Sequence, residues 1–570
     1  FQKSTVGIKN NIWKINPKDN KNNKVTFNLK DGEYVFSPFR FESESQTINF
    51  NGYLKGASEK KLSADFSNVK LQEILPKIDS LDIRGALNGT LDFVKKNNLY
   101  SPEGTLLIED FEINNFKQGN LALNVVGNNS YQKYDVGLSL ERENVKSIGA
   151  TGSLDFSLSK PNIDLEVFLE EFELNAFSPL GQDVLSKIRG KASGAFTLKG
   201  FIGNPEMEGT LKLENAGLQF PYLNTDYDFE GISSIVLQNQ SFIFEDINLL
   251  DTKYNTTGVL NGSITHQNFD DWFLNINILA KNLAILDTQD SEEALYYGKG
   301  FIKGDVLISG LTDQLTIDIN AKTQPNTLFV LPLKDIQTID NYKLIHFKTE
   351  QKANQQEIAL EALKGLALNI NLEVTKDAVA EVVIDEINGS KLKGSGSGNL
   401  RVEIDTRGKF NMFGDFLIDN GVYDFKYGGV INKPFSIQKG GTVSWNGNPI
   451  DASLNVTAIY ETKANPAVLL DNFNTNRQIP IHLITKISGG LFTSSQEFDI
   501  KIPNLNSNIE SELNFILNDN NINQKTTQFI SLLALGSFVN PLKTSIDGNS
   551  AITNTASSAI ASAVSNLIND

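Results

Sequence analysis

Apolar and polar residues alternate along most of this chain in short runs. Residues 163–169 read IDLEVFL, in which only Phe168 leaves the alternation, and residues 206–213 and 315–322 follow the same pattern. A period of two predicts β-strands with one buried face and one solvated face. A register shift of one residue would expose every apolar side chain of a strand to water, so the strand register is well specified.

A repeat with a long period organises these strands. Similar stretches begin at Leu62, Ile163, Leu274 and Leu368, and each starts with an alternating strand and reaches a glycine-rich turn followed by another strand. The spacing of about one hundred residues exceeds the usual solenoid periods, so one unit would hold many strands.

Short helical inserts interrupt the strands. Residues 71–78, 173–188 and 284–297 each predict one to three turns of helix, which would cover a sheet edge. Residues 526–539 place apolar side chains at helical spacing, and residues 551–570 predict a weak amphipathic helix. The sequence GSGSG at 394–398 is expected to join two strands.

Together these patterns predict an all-β fold. The expected architecture is a long, curled repeat β-sheet with an apolar groove, short helical inserts and C-terminal amphipathic helices. A closed core would be the default for one domain of about a hundred residues. Here the repeated pattern would let the apolar faces of successive units line up, and few aliphatic helices are present to cover them.

The apolar groove is the candidate functional site. Its predicted lining consists of the inward-facing residues of the alternating strands, and a second set on the helix at 526–539 is predicted to lie near a membrane or partner. The groove residues are Leu165, Val167, Phe196, Leu198, Leu211, Leu213, Ile276, Ile278, Val306, Ile308, Ile317, Ile319, Val402, Ile404, Phe410, Met412, Phe416, Ile418, Leu454 and Val456. The membrane-proximal or partner-proximal residues are Phe529, Leu532, Leu533 and Phe538.

Charge and composition exclude several function classes. The net charge is −17, and no cluster of Lys and Arg supports nucleic-acid binding. The chain has no cysteine, which excludes disulfides, thiolate zinc sites and cysteine nucleophiles. Its apolar runs are too short to predict a membrane-spanning helix.

Candidate chemistry is sparse. The three histidines, His266, His346 and His482, stand outside any metal-binding spacing, and His482 is expected to point away from the apolar face. No nucleophile elbow is present. We therefore predict no enzyme activity, no catalytic or metal site and no cofactor.

Residues 408–460 carry a specific resemblance. They contain a G-x-Y turn at 421–423, an F-x-I strand at 435–437, and the spacing G-x-x-x-W-x-G-x-P from Gly441 through Trp445 and Gly447 to Pro449. An alternating strand with Leu454 and Val456 follows. This sequence motif resembles the C-terminal domain of the TamB family, the AsmA-like bridge proteins of the envelope of diderm bacteria.

The resemblance implies an organisation and a function. It implies AsmA-like β-groove repeats at 1–389, a TamB C-terminal β domain at 390–525 and a C-terminal helical segment at 526–570 near an outer-membrane partner. Family members are anchored in the inner membrane by a helix upstream of this region, cross the periplasm and dock on a BamA/TamA-type barrel or a lipoprotein relative. The implied function is phospholipid transport between the two membranes.

Two other functions remain open at this point. The same sheet could serve as a scaffold for outer-membrane protein assembly, in which exposed strand edges pair with nascent barrel strands. A surface adhesin or polysaccharide-binding solenoid would need aromatic or acidic sites on the outer face, and Trp13, Trp272 and Trp445 are too scattered to form one.

Overall fold

Most of the chain is described by a computed structural model. The described residues are 4–8, 11–15, 24–74, 82–96, 99–127, 132–157, 159–181, 185–267, 271–291, 296–332, 365–385, 390–405, 408–427, 431–470, 477–491, 493–505, 507–517 and 522–539. The predicted helix at 551–570 lies outside them.

Strands dominate the described residues. In chain order, β1 to β31 are Thr5–Ile8, Asn11–Ile15, Val25–Asn28, Glu33–Ser43, Gln46–Lys55, Glu59–Lys70, Ile83–Lys96, Leu99–Ile113, Phe116–Gly127, Lys133–Arg142, Val145–Asp155, Asn162–Glu173, Ser186–Phe201, Glu206–Phe220, Thr225–Phe229, Ile232–Asn239, Ser241–Asp251, Thr257–Gln267, Asp271–Thr288, Tyr297–Leu311, Gln314–Thr323, Leu328–Leu331, Ala367–Val374, Val379–Asp385, Ser390–Asp405, Phe410–Tyr427, Ile431–Ile437, Thr442–Gly447, Ser453–Ala464, Ile479–Gly490 and Ser495–Lys501. The helices α1 to α3 are Leu71–Ile74, Ser507–Ile516 and Ile522–Leu535. The predicted all-β class is confirmed.

The chain divides into two compact units. Unit 1 comprises the described residues within 1–281 and 307–316, and unit 2 comprises those within 282–306, 317–361 and 365–570. These units follow spatial contacts, whereas the boundaries at 389/390 and 525/526 follow the family resemblance. That three-part division stays a prediction.

Unit 1 is an antiparallel meander. From β4 to β14 each strand pairs with the next along the chain, and β14, β16, β17 and β18 continue the series. Short β15 pairs with β14 and β17 beside them. Since tight turns join most of these antiparallel strands, neighbouring strands in sequence are neighbours in space.

A line of β-bulges crosses this meander. The register shifts between Phe66 and Val69 in β6, between Ile108 and Phe111 in β8, between Leu169 and Phe172 in β12, and between Phe244 and Ile247 in β17. Within each shift one residue has a positive φ between 48° and 54°; these residues are Asn68, Asp110, Glu171 and Asp246. Bulges bend and twist the strand that carries them, so a line of them curls the sheet.

The same type of hydrogen bond holds each bulge. The backbone N–H of the positive-φ residue donates to a side-chain oxygen on the next strand. The bonds are Asn68 to Asn88 Oδ1 at 2.7 Å, Asp110 to Asn120 Oδ1 at 3.2 Å, Glu171 to Ser193 Oγ at 2.9 Å and Asp246 to Asn261 Oδ1 at 2.8 Å. A side chain thus replaces the ladder bond that the bulge interrupts.

Removing one of these side chains is expected to weaken the fold moderately. In Asn261→Ala the Asp246 N–H loses its acceptor, and the Asn261 Nδ2 bond to Asp246 Oδ1 at 3.3 Å is lost as well. We expect the free energy of unfolding to fall by about 1 kcal/mol, because the bulge is exposed to water. Urea unfolding measures this loss of stability. Asn248→Ala is the control, because it removes an exposed side chain from the same strand β17. Equal midpoints for the two variants would contradict a clamping role.

Unit 2 is built around β25 and β26. β25 pairs with β23, β24 and β26, and β26 pairs through its two halves with β28 and β27. β29, β30 and β31 continue the antiparallel order, whereas β22 and β24 pair in parallel. One apolar cluster of buried residues fills this unit and includes side chains from α2 and α3.

The helical inserts are confirmed in part. The first insert contains α1, and the second contains the 3₁₀ helix Leu174–Gly181. The second prediction is wrong for residues 186–188, which begin strand β13. The third prediction is wrong for residues 284–288, which continue strand β19 beside buried Leu283. The rest of that insert includes residues 292–295, which lie outside the described part of the chain.

The expectation that GSGSG joins two strands is also wrong. Residues 394–398 lie inside β25, where Gly396 and Gly398 face Ile418 and Phe416 of β26. A Cβ atom at Gly398 would lie 2.1 Å from the carbonyl oxygen of Asp415. These glycines therefore allow two backbones and a phenylalanine to approach closely.

Candidate functional site: an apolar face in unit 1

Three rows of register partners cross strands β7 to β14 of unit 1 on one face. We call them together the apolar face. The deep row is Leu87, Ile108, Leu121, Leu140, Ile148, Leu169, Gly194 and Leu211. The middle row is Gly89, Leu106, Leu123, Leu138, Ala150, Val167, Phe196 and Gly209. The upper row is Leu91, Gly104, Val125, Val136, Gly152, Leu165, Leu198 and Met207.

Exposure changes across these rows. The deep row lies next to the bulges and contains the well-buried side chains Leu140 at 1% exposure and Leu87 at 7%. In the middle and upper rows most side chains are only half-buried, as Leu106, Leu123 and Leu138 are, and Leu91 is exposed. The face therefore has a buried floor beside the bulge line and a side that remains accessible to solvent. A contiguous accessible apolar surface of this kind is typical of a binding site.

The opposite face of these strands is charged. Lys199 Nζ lies 3.6 Å from Asp164 Oδ1, and Lys133 Nζ lies 3.1 Å from Asp155 Oδ2, each across a strand pair. The hydrogen bonds from Ser157 and the nearby Lys133 ammonium lower the pKa of the Asp155 carboxyl. Phe168 lies on this face and is 49% exposed, as its break in the alternation predicts.

The predicted groove residues of unit 1 fall into two sets. Leu165, Val167, Phe196 and Leu198 are half-buried on the apolar face. Leu211, Leu213, Ile276, Ile278 and Ile308 are buried. Their role as groove lining stays a prediction.

The predicted groove residues of unit 2 also divide. Val402, Ile404 and Phe410 are half-buried. Val306, Ile317, Ile319, Met412, Phe416, Ile418, Leu454 and Val456 are buried. The last five belong to the packed cluster of unit 2, so a ligand could reach them only if other side chains moved aside.

Helix α3 covers part of the sheet in unit 2. Phe529 is fully buried, with its ring 4.4 Å from that of Phe498 in β31 and 6.1 Å from that of Phe435 in β27, centroid to centroid. Leu532, Leu533 and Phe538 are buried in the same cluster. Contact of these predicted membrane-proximal side chains with a membrane or partner would therefore require α3 to leave the sheet.

Polar side chains fix the end of α3. Gln528 Nε2 donates to the carbonyl oxygen of Val539 at 2.7 Å, and Gln528 Oε1 accepts from the Val539 N–H at 3.0 Å. Ser531 Oγ donates to the carbonyl oxygen of Ser537 at 2.7 Å. These bonds satisfy buried polar groups where the helix ends and the chain turns back along it.

The residues that carry the family resemblance pack this core. Tyr423 and Phe435 are register partners and are buried, and Gly421 lies opposite Ile437. Trp445 Nε1 donates to the carbonyl oxygen of Pro449 at 3.2 Å, which closes the turn before Ala452. The motif is thus explained by packing and turn geometry.

Unit 1 also has a surface cleft of about 540 Å³ with Arg189 in its wall. The Arg189 guanidinium lies 2.7 Å from Asp226 Oδ1 and 2.5 Å from Asp228 Oδ1. Because two carboxylates already neutralise this cation, the cleft offers little attraction to an anion.

Neither a metal-binding cluster nor a membrane-spanning helix is found among the described residues. Among them, no group of three or more His, Asp or Glu side chains could hold a metal ion. No helix in the described part of the chain is both long enough and apolar enough to cross a bilayer. His482 is half-exposed between buried Ile481 and Leu483, in agreement with its predicted orientation.

The C-terminal part of the chain matches a known family. The family model described as the TamB C-terminal domain matches residues 245–570, which is more than half of the chain. No curated protein matches the sequence.

Proposed function

Because this chain belongs to the TamB family, we propose that it is a bridge that shields phospholipid acyl chains during transport between the inner and outer membranes. The family is associated with the translocation and assembly module and with lipid transport in the Gram-negative envelope. The place of this chain in the periplasm is part of the proposal.

The half-buried apolar face of unit 1 is the observation that carries this proposal. Its middle and upper rows place aliphatic and aromatic side chains on successive strands while part of each stays accessible. Moving one methylene group into water costs about 0.8 kcal/mol, so a sixteen-carbon acyl chain resists leaving a bilayer by about 13 kcal/mol. A contiguous apolar surface removes much of this barrier, and the charged opposite face keeps the protein hydrated.

The proposed mechanism is passive. The TamB family is a family of bridge and transport modules that are not enzymes. The apolar face offers a continuous set of weak, similar contacts, so an acyl chain can slide from one strand to the next. No bond is made or broken in this process, and we propose that the chain needs no cofactor.

We propose partners of the kinds with which TamB family members work. Members work with membrane-associated partners. For this chain we propose a BamA/TamA-type barrel, or a lipoprotein relative, at the outer membrane and an anchor in the inner membrane. Strand pairing with such a barrel would use the backbone of an edge strand, whereas lipid transport uses side chains of the apolar face.

Photocrosslinking at matched positions tests the proposal. A photoreactive residue replaces either Phe196 on the apolar face or Phe168 on the opposite face of the adjacent strand. We expect Phe196 to give adducts with phospholipid, identified by mass spectrometry after irradiation in cells, and Phe168 to give at least tenfold fewer. Equal lipid adducts at the two positions, or adducts only with unfolded barrel proteins, would overturn lipid shielding on this face.

A further inference from the structure

Unit 2 has an accessible apolar surface of its own where strands β23, β25 and β26 pair. Three rows of register partners cross these strands on one face. The rows are Leu368, Ile404 and Phe410; Ile370, Val402 and Met412; and Leu372, Leu400 and Gly414. Six of these side chains are half-buried, and we call them the β25 patch: Ile370, Leu372, Leu400, Val402, Ile404 and Phe410.

The opposite face of the same strands is polar. Asn369 in β23 donates from Nδ2 to Asp318 Oδ1 at 2.8 Å. The Arg401 guanidinium in β25 lies over the ring of Phe413 in β26, 4.5 Å from the ring centroid. The β25 patch is therefore the apolar side of a sheet whose other side is hydrated, as the period of two requires.

The β25 patch ends at the closed core of unit 2. Met412, the register partner of Val402, is 3% exposed, and Phe416 further along β26 is 4% exposed. Both belong to the packed cluster that includes side chains of α2 and α3. Because protein interiors are close-packed, a ligand on the patch cannot enter this core unless side chains move aside.

Aromatic rings border the β25 patch. The Tyr296 ring lies 5.9 Å from the ring of Phe410 and 5.7 Å from that of Phe329, centroid to centroid, and it stacks on Phe329. Tyr296 and Phe329 are half-buried, as Phe410 is. These rings extend the apolar surface and give it a rigid side against which a flexible chain can lie.

The size of the β25 patch indicates its occupant. Three strands about 4.8 Å apart, crossed by three rows about 6.8 Å apart, cover an area on the order of 150 Å². A stable protein–protein interface buries about 800 Å² on each partner, so the patch is too small for a second copy of this chain or for another protein. Its six side chains contain no nitrogen or oxygen atom, so they offer nothing that would orient a polar ligand. An alkyl chain fits both properties.

We propose that the β25 patch holds an acyl chain of a phospholipid and that the core of unit 2 is closed to lipid. This inference rests on the proposed function and names the part of unit 2 that performs it. Val402, Ile404 and Phe410 then contact the acyl chain, whereas the buried predicted groove residues, such as Met412 and Phe416, support the fold.

The methionine content of the chain allows a sharp test. The sequence has two methionines, Met207 and Met412, so the diazirine analogue photo-methionine labels few positions. In the variant Val402→Met one label stands on the β25 patch and another, at Met412, in the adjoining core of the same molecule. The purified chain is irradiated with dioleoylphosphatidylglycerol vesicles and digested with trypsin, which cleaves at Arg407 and Lys409 between these two labels. Mass spectrometry quantifies the lipid adducts on each peptide.

We expect about tenfold more phospholipid adducts at position 402 than at Met412, because only the patch is accessible to an acyl chain. The matched control is Asn399→Met, which places the label on the exposed opposite face of the same strand. Position 399 should give as few adducts as Met412. Thermal unfolding verifies that both variants fold.

Each other outcome overturns the inference. Equal or stronger labelling at Met412 would mean that lipid enters the core, and equal labelling at positions 402 and 399 would mean that the patch does not select lipid. Crosslinks from position 402 to a second copy of the chain, without lipid adducts, would make the patch a protein contact.

A third variant separates this inference from the proposed function. Phe196→Met places the label on the apolar face of unit 1. Adducts at position 196 without adducts at position 402 would leave lipid shielding in place and remove the role of the β25 patch. A lack of lipid adducts at both positions would remove both proposals.

Discussion

Phe529→Ala is expected to lower the free energy of unfolding of unit 2 by about 3 to 5 kcal/mol, the range for a buried phenylalanine that is cut back in a packed core. The Phe529 ring is fully buried, stacks on the ring of Phe435 and packs at a tilt against the ring of Phe498. Its removal leaves a cavity beneath α3 and removes two aromatic contacts at once. The measurement is the urea dependence of amide hydrogen exchange in peptides from β27, β31 and α3.

Phe515→Ala in α2 provides the matched control, because the Phe515 side chain is 79% exposed. We expect it to change the same exchange by less than about 0.5 kcal/mol. If Phe529→Ala left the protection of β27 and β31 at the wild-type level, α3 would not be an integral part of the core. The helix would then be free to leave the sheet, as contact with a membrane through Phe529 requires.

Strand patterning could be predicted from the sequence because alternation is a local property. The break at Phe168 was visible in the sequence, and the structure exposes that side chain on the polar face. Leu417 stands among polar positions in the sequence and is 47% exposed. A period of two reports which face a residue occupies, and this information survives without knowledge of the neighbouring strands.

How deeply a side chain is buried within its face could not be predicted from the alternation. Leu165 and Met412 have similar sequence surroundings, yet Leu165 is half-buried and Met412 is 3% exposed. The difference depends on what packs over each strand and on where the bulges bend the sheet. Bulges at Asn68 or Asp110 add one residue to a strand and are confirmed only by the register of the partner strand.

The apolar face of unit 1 also contains residues outside the predicted groove set. Leu106, Leu123 and Leu138 form the middle row together with Val167 and Phe196, and none of the three was singled out. Each of these three leucines lies in an alternating run of its own, so a period of two also indicates their face. The glycines in GSGSG at 394–398 do not distinguish a turn from a strand, because a turn and close packing against Phe416 both require small residues.

A charge on the accessible part of the apolar face is expected to block lipid passage. In Phe196→Glu a carboxylate replaces the largest side chain of the middle row, between Val167 and Gly209. An acyl chain that passes this point must cross a hydrated charge, which costs on the order of a few kcal/mol. We expect the rate of fluorescent phospholipid transfer between donor and acceptor vesicles to fall about tenfold to hundredfold.

The burial of the substituted residue decides whether lost lipid transfer reports a blocked path or an unfolded protein. Ile317 at 9% exposure and Phe416 at 4% are buried, so a glutamate there would bury a charge and unfold the protein. Phe196 is half-buried, so its glutamate can turn toward water and the fold should persist, as circular dichroism can verify. Phe168→Glu on the adjacent strand adds the same charge to the opposite face and should leave transfer unchanged. Unaltered transfer by a folded Phe196→Glu variant would exclude this face as the path of the acyl chains.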